Sequence, residues 1–170
     1  PNQGVYDMNI FVLDNDYVEC AKLHVDKHVV KMILEHAQMM CTVHHVIGGY
    51  DYKIPYKSTH VNHPCNKWLR DSIENYEWLY NMTSALNDEY RYRYDKNVNH
   101  KSFDVIKSLP FPDLPDVKMT RFARAMPDEC KIDNDIVASY RNYYNVAKQD
   151  ILKWTKRDIP AWINKENIKC

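Results

Sequence analysis

Ionisable side chains recur at four-residue spacing around the segment VDKHVVKMILEHAQMM, residues 25–40. At about 100° per residue, one narrow side of a helix here would carry His24, His28, Lys31 and Glu35, and the opposite side would be apolar. Such a row is typical of the solvated side of a helix, with an ordinary Lys–Glu ion pair. The same row could also move protons and bind anions beside a cleft, so both interpretations stay open.

Asp26 is the acid that the helical pattern explains least well. It projects onto the apolar side, together with Ile33 and Ala37. A carboxylate in that position must be paired or hydrogen-bonded, or its pKa must shift, because burying a lone charge is costly. Alternatively, Asp26 caps the start of a second helical segment.

Histidines also cluster in the segment STHVNHPCNKW, residues 58–68. Together with His24 and His28, His60 and His63 could ligate a metal, which would make the protein a metal-dependent hydrolase. The spacing is generic and lacks an H-E-x-x-H pair, so we predict neither a metal site nor a cofactor. His63 precedes a proline at a predicted helix start, where free amide groups attract an anion such as phosphate; alternatively, it only caps the helix.

Two segments interleave cations with aromatic rings, namely RYRYDK at residues 91–96 and KWTKR at residues 153–157. Such segments can contact phosphates while their rings stack on unpaired bases. Trp78 also projects onto the polar face of its helix. Because an aromatic stripe is more often core than a base platform, packing is the alternative. The candidate nucleic-acid contacts are His28, Arg70, Arg91, Arg93, Lys153, Trp154, Lys156 and Arg157.

Helices are the elements expected to position these groups, because the chain has only three glycines and long stretches lack both glycine and proline. A first long helix is predicted from about Tyr17 to Ile47, with a break near Val25. A second is predicted from Pro64 to about Tyr90, since proline is favoured at the first helical position. Two such helices should pack antiparallel as the spine of a bundle.

The remaining segments are shorter. Residues 10–13 are apolar and predict a strand or a buried arm, and Ser102 could cap a short helix that reaches Leu109. A last helix is expected from a cap at Asp133 or Asn134 to about Trp154. Four prolines make residues 110–128 an irregular loop. We therefore predict an all-α, compact single-domain helical bundle over residues 1–170, in which residues 1–8 could be an extension before a native start at Met8.

Composition limits the class of protein. Five cysteines without a C-x-x-C pair indicate neither a disulfide framework nor a zinc ribbon, and no targeting signal or membrane span is evident. We expect a cytoplasmic monomer, in the host cytoplasm if the protein is phage-encoded. The net charge is zero, but residues 141–170 hold seven Lys or Arg against three acids, whereas residues 1–40 hold three against six. Such polarity permits binding to a polyanion without requiring it.

The order of two motifs resembles a known family. The pattern D-K-x-x-x-K-x-x-x-E starts at Asp26, and N-H-P followed by a tryptophan starts at Asn62. Over roughly residues 9–94 this order resembles the pyrimidine-dimer DNA glycosylases, the endonuclease V family of phages, and KRDIPAW at residues 156–162 loosely matches their basic, aromatic tail. The resemblance implies a helical enzyme that needs no metal and flips nucleotides out of damaged DNA.

In that family an N-terminal amine attacks the sugar C1′ and forms a Schiff base, and a helix carboxylate assists. The resemblance implies that Asp26 or Glu35 is this carboxylate, with nearby cations on the phosphates. The amine could be that of Pro1, or alternatively that of Met8 or the side chain of Lys27. The residues expected to line the cleft are Asp26, Lys27, Lys31, Glu35 and His63, with His28 as a further phosphate-facing cation.

The main hypothesis is therefore a DNA glycosylase and AP-lyase that acts on damaged or modified pyrimidines. One alternative is a non-catalytic helical module, such as a phage accessory protein, that binds nucleic acid or a protein. The metal-dependent hydrolase is the other alternative. We also predict that Glu35→Gln impairs activity and leaves the fold intact.

Overall fold

Six α-helices form one hydrophobic core in the computed structural model, which describes residues 8–49 and 52–168. The helices are α1 (Tyr17–Leu23), α2 (Asp26–Ile47), α3 (Pro64–Asp71), α4 (Ile73–Arg93), α5 (Lys101–Ser108) and α6 (Ile136–Ala147). Short 3₁₀ turns cover Asp128–Cys130, Gln149–Ile151 and Lys165–Asn167. Neither described range contains a β-strand, so the prediction of an all-α fold is confirmed.

The first long helix has the break that the sequence predicts. The Asp16 carboxylate caps α1 by accepting two backbone N–H bonds of 2.9 Å each. His24 and Val25 are then extended, and α2 begins at the next residue. It ends at Gly48, whose φ of 64° is a left-handed conformation that a residue with a Cβ rarely adopts.

Ser72 divides the second long helix, which was predicted as continuous. Its backbone is extended, and its hydroxyl accepts the N–H of Glu74 at 3.1 Å, so it caps α4. The same hydroxyl donates to the Val117 carbonyl at 2.5 Å and so fastens the proline-rich loop to this junction. The break follows from a contact 45 residues away along the chain, which no local pattern could show.

The shorter helices also differ from their predicted limits. The cap of α5 is His100, not Ser102, and the cap of α6 is Asp135, not Asp133 or Asn134. Helix α6 ends at Ala147, well before Trp154. Residues 110–125 have no regular secondary structure, as their prolines predict.

Helices α2 and α4 pack antiparallel, because contacts join the start, middle and end of one to the end, middle and start of the other. These contacts are Asp26–Arg93 at 3.1 Å, His36–Thr83 at 2.8 Å and His44–Tyr76 at 3.1 Å. The arm of residues 8–13 is buried throughout and belongs to the same core. Each fully buried aliphatic side chain of this core stabilises the fold by about 1.5–3 kcal/mol. In the described ranges, none of the helices combines the length and the apolar character that crossing a bilayer would take.

Candidate active site

Two buried carboxylates lie on opposite sides of α2. Asp26 and Glu35 are 7% and 6% exposed. They are separated by nine positions, which at about 100° per residue places them about half a turn apart around the helix axis. The two acids therefore face different parts of the molecule, and the expectation that both line one cleft does not fit this geometry.

The Asp26 carboxylate is fully engaged by protein donors. Its Oδ1 accepts from the Arg93 guanidinium at 3.1 Å and from the backbone N–H of Thr155 at 2.8 Å. Its Oδ2 accepts from the Thr155 hydroxyl at 2.5 Å. The residue that caps α2 is Val25, which forms no side-chain cap bond, so the alternative that Asp26 is the helix cap is wrong.

The ion pair at Asp26 continues into a chain of charges. Arg93 also contacts Glu89 at 3.1 Å, and Glu89 accepts a two-pronged contact from Arg157 at 2.9 and 2.6 Å. Burial alone would raise the pKa of the Glu89 carboxyl, but the hydrogen bonds and charges of Arg157 and Arg93 outweigh burial and lower it. We refer to Asp26, Arg93, Glu89, Arg157 and Thr155 as the charge lock, because they fasten the end of α4 and the C-terminal segment to the start of α2.

Several side chains of the two basic, aromatic segments form bonds within the protein instead of facing a partner. Arg93 is buried in the charge lock, and buried Trp154 donates its indole N–H to the Leu23 carbonyl at 2.8 Å. Lys156 pairs with Asp95 at 2.6 Å. Trp78 is buried as well, contrary to its projection onto a polar face, because the proline-rich loop covers it with Phe122 at a ring distance of 4.7 Å.

Other predicted DNA contacts remain at the surface. Arg91 and Lys153 are exposed, and Arg70 is half-buried with its guanidinium on the Val61 carbonyl at 2.8 Å. A DNA contact by any of these three side chains stays a prediction.

Glu35 occupies a different setting on the other side of α2. Its Oε2 lies 3.8 Å from the Lys31 ammonium, and the Lys31 side chain is 61% exposed. Burial raises the pKa of the Cys65 thiol to about 12, and the negative charge of Glu35 adds to this rise. The lysine of this ion pair therefore lies at the surface, and the carboxylate lies inside.

The buried arm passes beside Cys65. Asn9 is 1% exposed, and its Oδ1 accepts from the Tyr140 hydroxyl at 3.0 Å and from the Cys65 thiol at 3.6 Å. Its Nδ2 donates to the Ala125 carbonyl at 2.5 Å. Asn9 thus ties the arm to α3, to α6 and to the proline-rich loop, a role that the sequence analysis missed, since its partners are 56 to 131 residues away.

The histidines of the metal hypothesis do not converge. His24 hydrogen-bonds the Cys20 carbonyl at 2.7 Å inside the core, whereas His60 is exposed and contacts the Thr59 hydroxyl at 2.7 Å. Within the described ranges, no group of three or more His, Cys, Asp or Glu residues could hold a metal ion. His63 Nδ1 accepts the N–H of Cys65 at 3.0 Å and caps α3, which was the simpler of its two interpretations.

His28 is buried rather than facing phosphates. Its Nδ1 lies 2.9 Å from the Tyr144 hydroxyl, and its ring packs on Phe11 at 4.4 Å. Burial lowers the pKa of His28 well below 6.5, and the positive charges of His24, Lys148 and Lys31 lower it further. A neutral, buried ring does not fit the expected role of a phosphate-facing cation.

Described residues line an open groove and a smaller pocket. An open groove of about 1070 Å³ lies between the proline-rich loop and the start of α6, and a pocket of about 210 Å³ lies at Asp26, Lys27 and residues 149–153. Glu35 is among the lining residues of neither hollow. Pro1, the first of the predicted nucleophiles, lies outside the described residues.

Comparison with known proteins gives one match. A family model described as pyrimidine dimer DNA glycosylase matches residues 8–102, more than half of the 170 residues. The matched region contains the arm, helices α1 to α4 and both buried carboxylates of α2. Neither a curated protein nor a solved structure matches significantly.

Proposed function

The chain belongs to the pyrimidine dimer DNA glycosylase family, and we propose that it excises damaged or modified pyrimidines through an amine nucleophile, with Glu35 as the catalytic carboxylate. The family membership supports a DNA glycosylase with DNA as its substrate. The contrast between the two acids of α2 supports the choice of carboxylate.

Asp26 is disfavoured as the catalytic acid by the bonds that its carboxylate already accepts. Asp26 accepts bonds from Arg93 and Thr155, and these bonds join distant segments of the chain. If the Asp26 carboxylate left these donors to contact a substrate, the buried Arg93 guanidinium would lose one of its anionic partners. This loss would destabilise the fold by several kcal/mol. Glu35 instead shares its side of α2 with Lys31, whose exposed ammonium lies 3.8 Å from the carboxylate.

Each group has a defined part in the proposed reaction. The amine nitrogen bonds to the sugar C1′ while the C1′–N bond to the base breaks, and the base leaves with the bonding electrons and then takes a proton. The carboxylate of Glu35 stabilises the positive charge that develops at C1′. Loss of the amine proton and opening of the sugar ring, with protonation of the ring oxygen, leave an iminium, from which removal of a C2′ proton eliminates the 3′ phosphate.

The candidate nucleophiles are the α-amine of the mature N-terminus and the side-chain amine of Lys27. An α-amine titrates near pH 8, so a useful fraction is unprotonated and nucleophilic at neutral pH. A lysine side-chain ammonium ordinarily titrates about two units higher than an α-amine. This difference favours an α-amine.

Borohydride trapping tests the proposal. The protein is incubated with three duplexes, which carry a cyclobutane pyrimidine dimer, an abasic site or no lesion, with cyanoborohydride in the presence of EDTA. We expect a covalent adduct on both damaged duplexes and none on the undamaged one, with a trapped peptide that identifies the amine.

Other results would contradict the proposal in distinct ways. Cleavage of the C1′–N bond at the dimer without an adduct would show a glycosylase that uses water instead of an amine. DNA binding with neither an adduct nor cleavage of this bond would favour the non-catalytic module. Activity that EDTA abolishes and zinc restores would support the metal-dependent hydrolase instead.

A further inference from the structure

The protonation state of the His24 ring is fixed by its hydrogen bonds. Its Nδ1 lies 2.7 Å from the Cys20 carbonyl, which can only accept, so Nδ1 carries the proton of the neutral ring. The Nε2 atom is therefore left with a bare lone pair. It is buried and has no hydrogen-bond partner among the described residues, whereas the great majority of buried polar atoms in proteins have one.

A second proton on this ring would find no acceptor in the docked structure. Burial is the largest cause of a fall in the pKa of His24 from 6.5 to about 4. The charge of Arg93 adds to this fall, whereas the bond to the Cys20 carbonyl and the charge of Glu89 oppose it. The Glu89 carboxylate cannot take the proton's hydrogen bond, because Arg93 and Arg157 already occupy its oxygens.

The other elements around the ring contribute neutral groups. On α2, burial lowers the pKa of both His28 and His36, and the charge of a protonated His24 would lower it further. On α6, Tyr144 hydrogen-bonds His28 at 2.9 Å, and burial raises its pKa well above 10. The arm brings the Phe11 ring, whose centre lies 6.5 Å from that of His24. These neighbours supply no negative charge to balance a protonated ring.

Helix α1, which ends beside His24, is joined to the core by few buried side chains. Of its seven residues, all of them described, two are buried, namely Cys20 and Ala21. A helix of two turns is not stable by itself in water. Segments with few buried apolar contacts open locally at a lower free-energy cost than the whole domain unfolds. Local opening is therefore expected to begin at α1.

The last turn of α1 is held by the arginine that a protonated His24 would repel. Arg93 donates to the carbonyls of Lys22 and His24 at 2.9 and 2.7 Å. Trp154 of the C-terminal segment donates to the Leu23 carbonyl at 2.8 Å. A positive ring beside the Arg93 guanidinium thus acts against the bonds that fasten α1.

His36 has a similar bare nitrogen in a different setting. Its Nδ1 donates to the Thr83 hydroxyl at 2.8 Å, because that hydroxyl gives its own proton to the Leu79 carbonyl at 2.7 Å. Its Nε2 is buried and lacks a partner within the described ranges. This ring, however, joins the two longest helices, α2 and α4. A proton on His36 would therefore disturb the centre of the bundle, whereas one on His24 acts at the end of a short helix.

We propose that His24 is an acid-sensitive latch, whose neutral ring keeps α1 docked and whose protonated ring releases α1 while the rest of the bundle stays folded. The latch goes beyond the proposed function, since it needs neither DNA nor an amine nucleophile. Release would take two carbonyl bonds from Arg93 and so loosen the charge lock.

The sign and size of the effect follow from linkage. Released α1 leaves His24 with its ordinary pKa of 6.5, and docked α1 holds this pKa at about 4. The open state therefore binds the proton more tightly, so opening becomes easier as the pH falls through this window. The opening constant should rise about 30-fold from pH 7.5 to pH 5.

Thiol labelling of Cys20 measures the opening. Its Sγ is fully buried and donates to the Phe11 carbonyl at 3.2 Å, so it is protected while α1 is docked. The wild type, His24→Gln and His45→Gln are treated with a dithiodipyridine reagent at pH 7.5 and pH 5, and peptide mass spectrometry follows each cysteine. His45 is an exposed histidine of α2 and serves as the matched control. Rates are divided by those of the urea-unfolded protein, which removes the pH dependence of the thiol itself.

We expect labelling of Cys20 to rise about 30-fold on acidification in the wild type and in His45→Gln. His24→Gln should show no such rise, and Cys130, which is buried outside α1, should stay protected. Three results would overturn the latch: no rise at Cys20 in the wild type, an equal rise in His24→Gln, or a parallel rise at Cys130, which would show global unfolding.

A measurement on the wild type keeps the latch testable if His24→Gln does not fold. Nitrogen-15 NMR of the histidine rings at neutral pH should show a neutral His24 with its proton on Nδ1. A proton on Nε2 would contradict the bare lone pair on which the latch depends. Neither experiment uses DNA, so a wild type that forms no borohydride adduct would remove the proposed chemistry and leave the latch standing.

Discussion

The buried carboxylates on the two sides of α2 have different surroundings. On one side, Asp26 is held by Arg93 and Thr155, which bring in α4 and the C-terminal segment. On the other side, Glu35 lies 3.8 Å from the ammonium of exposed Lys31. Burial alone therefore does not identify a catalytic acid, because a buried carboxylate can equally form a structural ion pair.

The largest effect expected on the Asp26 side is that of Asp26→Asn. This change removes the negative charge that faces the buried Arg93 guanidinium, so we expect the free energy of unfolding to fall by about 3 kcal/mol. Urea denaturation measures this loss. Asp88→Asn, an exposed position on α4, is the matched control and should stay within about 0.5 kcal/mol of the wild type. An equally small change in Asp26→Asn would show that the charge lock does not stabilise the fold.

The second prediction concerns the stability of the fold at acidic pH. Burial lowers the pKa of His24 from 6.5 to about 4, and the nearby Arg93 charge contributes in the same direction. Between these two values the unfolded chain binds a proton that the native protein does not, so stability falls as the pH drops from 6.5 towards 4. The loss is at most about 1.4 kcal/mol per pH unit for one such group.

Urea denaturation at several pH values measures this slope, and His24→Gln should make it shallower. Burial also lowers the pKa of His44 to about 4, so part of the slope should remain in the variant. A stability that rises on acidification through this window would contradict the assignment of neutral, buried histidines.

The smallest effect is expected from Thr155→Val. The change removes the hydroxyl that donates to Asp26 at 2.5 Å and keeps the backbone bond to the same carboxylate. We expect a loss of about 1 kcal/mol, measured by the same denaturation. Thr155→Ser, which keeps the hydroxyl, should recover most of it; equal losses in both variants would show that the methyl packing matters instead.

Local patterns predicted much of the fold. The start of α1 at the Asp16 cap and the end of α2 at Gly48 follow from a cap residue and a glycine, which act within one turn. The division at Ser72 depends on Val117, so periodicity along the chain could not show it. Trp78 was predicted on the polar face of its helix but is buried, because the loop that covers it is distant in sequence.

The candidate site was predictable only in part. The sequence supplied both acids, but their partners Arg93 and Thr155 are 67 and 129 residues from Asp26. Choosing between the acids therefore required the tertiary structure. The same holds for Lys156 and Arg157, which the sequence predicted as contacts to nucleic acid. Their ion pairs with Asp95 and Glu89 appear only in the tertiary structure.

The contrast between the two sides of α2 is tested most directly by a single-turnover excision assay on Glu35→Gln and Asp26→Asn. Both variants are compared with the wild type on a dimer-bearing duplex, at one temperature where all three are folded. We expect Glu35→Gln to lose 100-fold or more in rate, in the range typical of removing one group that stabilises transition-state charge, with an unchanged melting temperature. Asp26→Asn should keep its rate per folded molecule and melt earlier. The opposite result, in which Asp26→Asn loses its excision rate and Glu35→Gln keeps it, would refute the choice of Glu35 as the catalytic carboxylate.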